Sequence, residues 1–178
     1  TSAAYEPGMN FLDVLREECQ MTSPKNGCAP EGVCGCCAVS IDGQPVLACL
    51  RQPEQMGGHQ VVTLEGMDDE MRRVLGEAFV HEGAVQCGFC IPGIVMRAAS
   101  LLTHDKTGDR DAIAKALDGH LCRCTGYARI VDAIQTAGEA PNLAQKDAAK
   151  AYADLASQQC NVKLVGQDLG GQTLTPGV

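Results

Sequence analysis

Eleven cysteines in 178 residues constrain this chain more than any other feature. An odd number leaves one thiol over in any fully paired disulfide framework. The chain is also longer than the mini-domains that disulfides usually staple. Eight of the eleven fall into two sets of four: Cys28, Cys34, Cys37 and Cys49, then Cys87, Cys90, Cys122 and Cys124. Clustered cysteines in a chain of this size bind metal more often than they cross-link. Cys19, Cys36 and Cys160 are left over, and Cys19 and Cys160 read as packing thiols.

Charge narrows the partners. With 14 Lys plus Arg against 22 Asp plus Glu, the formal net charge is −8. Nucleic-acid partners require a basic face, so none is expected. Hydrophobic content of 45% and charged content of 20% suit a globular chain. With no Trp, three Phe and three Tyr, the core must come from aliphatic residues and Met. The best apolar run, Ile94 to Leu102, is nine residues long and broken by Arg97, so no direct membrane insertion is expected. No secretory leader is legible from Thr1 onward.

Strand and helix periods divide the chain. Asn10 can cap a short helix carrying Leu12 and Leu15. Ala38 to Ile41 and Val46 to Leu50 are β-prone, with Asp42-Gly43 between them as a tight hairpin turn. Gln60 to Leu64 is a further strand candidate. Helical spacing then takes over near Gly66. Met71, Val74, Leu75, Ala78 and Phe79 mark one helix. Ile94, Val95, Ala98, Leu101 and Leu102 mark a second, with Pro92 in its first turn. Ile113, Ala116 and Leu117 mark a third, and Ile130, Val131, Ile134 and Ala137 a fourth. Brief connections suggest an antiparallel bundle. A weak repeat of helix, cysteine pair, helix occurs twice within residues 68–140. Past Pro141, residues 143–159 read as helix, 161–165 as a strand and 170–178 as loop.

The first cysteine set lies in NGCAPEGVCGCCAV and LACL. A two-iron, two-sulfide cluster needs four thiolates converging on a small volume, with backbone N–H donors aimed at sulfur. Gly27, Gly32 and Gly35 let the backbone wrap closely. Five residues separate Cys28 from Cys34, one more than the plant-type spacing, while the two between Cys34 and Cys37 match it. Cys36 or Cys37 could serve, and spacing favours Cys37. A four-cysteine zinc site is the competing use of this loop.

The second set lies in QCGFCIPG and LCRCTGY. Pro92 opens a helix right after Cys90, and Thr125 is expected to cap another right after Cys124. Both pairs would then sit at helix N-termini, whose free N–H groups and dipole favour an anionic cluster. A Rieske centre needs two His ligands, and no Cys-x-His or Cys-x-x-His occurs. His59, His81, His104 and His120 read as surface or packing residues. Cys-x-x-Cys-His is also absent, so no c-type haem site is legible.

Taken together, NGC…EGVCGCCAV…LACL, QCGFCIPG and LCRCTGY resemble the [2Fe-2S] iron–sulfur subunit of the xanthine dehydrogenase, or molybdenum hydroxylase, family. The resemblance covers roughly residues 6–140. It implies an α+β chain: a plant-ferredoxin-like β-grasp domain in residues 1–66, then an all-α four-helix-bundle domain in 67–140. Residues 141–178 would be a C-terminal extension, either packed along a partner subunit as a clamp or solvated. The resemblance implies two [2Fe-2S] clusters, held by Cys28, Cys34, Cys37 and Cys49, and by Cys87, Cys90, Cys122 and Cys124. It implies that Gln86 and Cys124 contact a molybdopterin cofactor on a large partner subunit. Arg123 and Tyr127 would be structural or interface residues. Electrons would pass through the helical-domain cluster, then the ferredoxin-like one, to a flavin-binding subunit or another acceptor such as a cytochrome. The substrate chemistry would lie on the molybdenum subunit of this heteromeric complex.

This sequence departs from the family pattern in places. The loop after Cys28 is longer, Cys36 replaces a small residue, Ile91 stands where Thr is usual, and His120 where Asn is usual. Little of the family's N-terminal hairpin precedes Glu6. Two other readings compete: a stand-alone two-cluster carrier, and a zinc-binding interaction module. Cysteine-ligated clusters assemble from reduced thiols, so cytoplasmic maturation is expected, and later export as a folded complex is compatible with it.

Overall fold

Residues 2–104, 109–140 and 163–166 are described, in a computed structural model. Strand β1 (Ser2–Tyr5) leads to helix α1 (Phe11–Asp13). Asn10 caps it as expected: its side chain accepts from the Asp13 N–H at 3.1 Å, and the Asp13 carboxylate accepts from the Asn10 N–H at 3.4 Å. That reciprocal pair satisfies donors a helix start leaves open. The helix widens into a π-helical stretch, Val14–Glu18, and Phe11, Leu12, Val14 and Leu15 are buried.

The predicted hairpin forms between β2 (Ala38–Ile41) and β3 (Gln44–Leu47). Asp42 and Gly43 both adopt positive φ, 49° and 81°, which matches the right-handed twist of two-residue hairpins. Ala38 pairs with Leu47 and Ile41 with Gln44. The second strand differs from the expected Val46 to Leu50. It ends at Leu47, and Ala48–Leu50 form a 3-10 turn that buries Cys49. The strand expected at Gln60 to Leu64 shortens to β4 (Val61–Val62), which pairs antiparallel with Ser40 and Ile41. Leu64–Gly66 form another 3-10 turn. The sheet order is β3-β2-β4.

All four expected helices are present: α2 (Asp69–His81), α3 (Ile91–His104), α4 (Arg110–Ala116) and α5 (Ala128–Gly138). Asp68 and Asp109 cap α2 and α4 through the N–H groups of Met71 and Ala112. Every apolar residue that marked the first and fourth helices is buried. Full burial of Leu75, Phe79, Ile130 or Ile134 contributes about 1.5–3 kcal/mol each. Along α3, Leu101 is only half-buried.

Thr125 does not cap a helix directly after Cys124. Gly126 and Tyr127 have φ of 69° and 70°, incompatible with helix, so α5 begins at Ala128. The Thr125 hydroxyl instead accepts from the Tyr127 N–H at 3.3 Å and lies 3.1 Å from the Cys122 sulfur.

Two buried clusters organise the chain. One joins Phe11, Leu12, Val14 and Leu15 to Cys37, Val39, Cys49 and Val61. The other joins α2, α3, α4 and α5 to Cys34, Cys36 and Ala38. The boundary runs along β2, where successive side chains point to opposite faces. Cys37 and Val39 enter one cluster, and Cys36 and Ala38 the other. The start of α3 lies on the cysteine loop itself. A Cβ at Gly93 would run into the Gly35 carbonyl and come within 3.0 Å of the Cys36 Cα.

The expected helix at 143–159 and loop at 170–178 lie outside the described residues, as does Cys160. The expected strand appears as β5 (Lys163–Gly166), pairing parallel with this chain's own β1, Ser2 opposite Lys163.

Glycines in two settings separate fit from flexibility. Gly93→Ala should lower stability by about 1–3 kcal/mol, because backbone must move to admit the methyl group. Gly76→Ala, exposed within α2 with open space around it, should raise stability by about 0.5–1 kcal/mol. Denaturant unfolding of both variants checks the contrast.

Candidate metal centres

The first cysteine set converges around the loop before β2. Cys34, Cys37 and Cys49 are buried and Cys28 is half-buried. Burial pushes the Cys28 thiol up. The N–H groups of Val33, Cys34 and Glu31 and the Cys34 side chain outweigh that and hold it down to about 7. Cys49 is pushed up to about 12 by burial and by the neighbouring Cys37 thiol, although the Gly32 N–H points at its sulfur. Cys28, Cys34, Cys37 and Cys49 thus act on one another, with backbone donors aimed at two of the sulfurs. This is the environment a two-iron thiolate cluster uses.

Cys36 faces away from its neighbour. It lies in the helical cluster, its thiol 3.6 Å from the Cys34 carbonyl. Burial, then Cys34, Cys90 and Cys37, push it up to about 12. The sequence left Cys36 and Cys37 open, and the alternation entering β2 separates them.

The second set lies between α2 and α3 and before α5. Cys87 and Cys124 are exposed, with their sulfurs 3.3 Å apart, whereas Cys90 is buried and Cys122 half-buried. The Cys90 carbonyl accepts from the Ile94 N–H at 3.1 Å, so this cysteine does stand at a helix start. Burial and the Cys122 thiol push Cys90 up to about 12. The Phe89 N–H and the Cys124 side chain hold Cys87 down, while Cys87 pushes Cys124 up. Burial raises Cys122, but the Thr125 hydroxyl, with the Thr125 and Cys124 N–H groups, brings it down overall. Anionic sulfur is therefore favoured where N–H groups gather.

Gln86 and Cys124 meet. The Gln86 Nε2 donates to the Cys124 carbonyl at 3.1 Å, and both residues are exposed. Val85, Phe89 and Leu121 flank them as exposed apolar residues, Phe89 at 45% and Leu121 at 55%. Arg123 is exposed beside them.

Sequence reasoning missed the joint between the two sets. Gly35 has φ of 72°, and a Cβ there would lie 2.5 Å from the Gly119 carbonyl oxygen and 2.6 Å from the His120 ring. The Leu121 N–H donates to the Cys34 carbonyl at 2.9 Å. His120 is buried at this joint, and neither ring nitrogen has a well-formed hydrogen-bond partner. Burial and the Arg97 charge push it down to about 4, so it packs as a neutral ring. Only the run of glycines signalled so close an approach.

Comparison with known proteins establishes the family. Residues 2–74 match the model described as "2Fe-2S iron-sulfur cluster binding domain", and residues 63–135 match "[2Fe-2S] binding domain". The nicotinate dehydrogenase small FeS subunit of Eubacterium barkeri is 41% identical over 139 residues, covering 78% of this chain and 88% of that protein. The xanthine dehydrogenase iron-sulfur-binding subunit of Escherichia coli is 38% identical over 132 residues, 72% of this chain and 81% of that one. The solved structure of quinoline 2-oxidoreductase from Pseudomonas putida 86 superposes with a TM-score of 0.71 at 40% identity, over 76% of this chain and 85% of that chain. The chain therefore belongs to the [2Fe-2S] iron–sulfur subunits of the xanthine dehydrogenase, or molybdenum hydroxylase, family. It carries two [2Fe-2S] clusters and serves an oxidoreductase complex.

Gly35→Ala tests the joint. Its left-handed φ alone costs about 1–3 kcal/mol, and the backbone clash adds to that. The variant should lose iron as well as stability, and iron assay of the purified chain checks this.

Proposed function

We propose that this chain is the electron-transfer subunit of a molybdenum hydroxylase. It receives electrons from a molybdopterin site on a large partner subunit and delivers them to a flavin-binding subunit or another acceptor such as a cytochrome. The observation that carries this reading is the exposed corner where Gln86 bonds to Cys124. Two residues far apart in sequence, each implied by the resemblance to face the pterin, stand side by side and open to a partner. The exposed Val85, Phe89 and Leu121 around them suit burial against a second subunit.

Residues 1–66 form the ferredoxin-like β-grasp domain and 67–140 the four-helix-bundle domain; one buried cluster lies wholly within 1–66, and the other joins α2 to α5 with Cys34, Cys36 and Ala38 of the first domain. Cys28, Cys34, Cys37 and Cys49 ligate one cluster, and Cys87, Cys90, Cys122 and Cys124 the other. When bound, each cluster supplies a one-electron carrier. The chain supplies the thiolates, aims N–H groups at them, and buries one set while leaving Cys87 and Cys124 at the surface. Electrons enter at the exposed set and leave from the buried one. Among the described residues no three His, Cys, Asp or Glu side chains gather tightly enough for a single ion.

Paramagnetic resonance of the reduced protein over a range of temperatures tests the reading. Two two-iron signals of equal weight are expected. One signal would remove a set from the scheme, and an iron-free, colourless protein would return the zinc module. Cys36→Ala should keep both signals, whereas Cys124→Ser should disturb one and slow turnover.

A further inference from the structure

We infer that Tyr127 is a positioning residue for electron exchange between the two clusters, through a clamp on residues 120–122 that aims one amide at the other cysteine loop. This rests on the two-cluster reading above. The Tyr127 hydroxyl donates to the His120 carbonyl at 2.9 Å and accepts from the Cys122 N–H at 2.8 Å. In extended backbone, a carbonyl and the N–H two residues on point the same way, and the N–H between them points oppositely. Fixing His120 and Cys122 on the phenol side therefore turns the Leu121 N–H the other way. There it donates to the Cys34 carbonyl at 2.9 Å.

That bond joins the two cysteine sets. Cys34 belongs to the first, and Leu121 is bonded directly to Cys122 of the second. Among the described residues it is the one backbone hydrogen bond between these loops. Electronic coupling decays less steeply through bonds than through gaps, so with both clusters bound this bond would offer a through-bond route between them. The exchange served is of one electron: one cluster is oxidised as the other is reduced, and no bond breaks and no proton moves.

Two further observations assign the holding to Tyr127. The buried His120 ring anchors the start of the segment, but the Leu121 side chain is 55% exposed, so packing does not orient the Leu121 amide itself. Tyr127 itself has φ of 70°, unfavourable for a bulky residue, and makes no side-chain cap for α5. Such a conformation persists only where the surroundings impose it. The phenol that the turn delivers to His120 and Cys122 is what that conformation achieves.

Tyr127→Phe in the full chain, in its complex, keeps the ring and removes the hydroxyl. Iron content and both paramagnetic signals should persist. The Leu121 amide should exchange with solvent about tenfold faster. One-electron equilibration between the clusters after pulsed reduction should slow several-fold. An unchanged Leu121 exchange rate, or an unchanged equilibration rate, overturns the proposal. Should the variant lose iron, the wild-type protein decides. A Leu121 amide that exchanges as slowly as helix amides supports the clamp, and one as fast as an open loop overturns it. Fewer than two signals in the wild-type protein would instead remove the two-cluster reading, and the exchange measurement would still judge the clamp.

Discussion

The structure depends on a contact between backbones. Gly35, on the first cysteine loop, touches Gly119 and His120 on one side, and its carbonyl touches Gly93 at the start of α3 on the other. At the first approach Gly35 meets the Gly119 carbonyl and the His120 ring, and at the second Gly93 meets the backbone of Gly35 and Cys36. Backbone contact at this distance lets the loop that carries Cys34 lie against both segments that carry the second set. A methyl group at either glycine would separate them. Core packing around α2 and α5 supplies stability, but these glycines set how closely the cysteine-bearing segments approach one another.

Burial follows from the same arrangement. The loop enters β2, and alternation along that strand sends Cys37 toward Cys49 and Cys36 toward the helices. A cysteine at position 36 therefore fills a space where the helical core meets the loop. Its thiol shares the helical cluster with Cys34 and Cys90, on the other face from Cys37 and Cys49.

Much of this was legible beforehand. Helical spacing in Met71 to Phe79 and in Ile130 to Ala137 named buried faces that the structure reproduces, because each helix has one apolar stripe and one core to meet. The Asp42-Gly43 turn was legible because few residue pairs tolerate two positive φ angles. Cysteine spacing located both sets. Strand ends were less legible: β3 stops at Leu47, and the turn Ala48–Leu50 that follows buries Cys49. The start of α5 differs from the expectation because Thr125 is a good cap by type, while Gly126 and Tyr127 take left-handed conformations and the Tyr127 hydroxyl bonds back to His120 and Cys122. The Tyr127 hydroxyl bonds and the bond from Leu121 to Cys34 depend on tertiary placement and leave no periodic trace.

The difference in exposure between the two sets also bears on how the protein is made. Cys37 and Cys49 lie in the core formed by α1 and the sheet and Cys34 is buried in the helical cluster, whereas Cys87 and Cys124 are exposed. On the proposed ligand sets, iron and sulfide would have to reach the inner thiols before that core closes around them. In the outer set Cys87 and Cys124 stay exposed after the chain has folded, while Cys90 is buried. Loading would then follow an order, with the inner site committed during folding and half of the outer one still accessible.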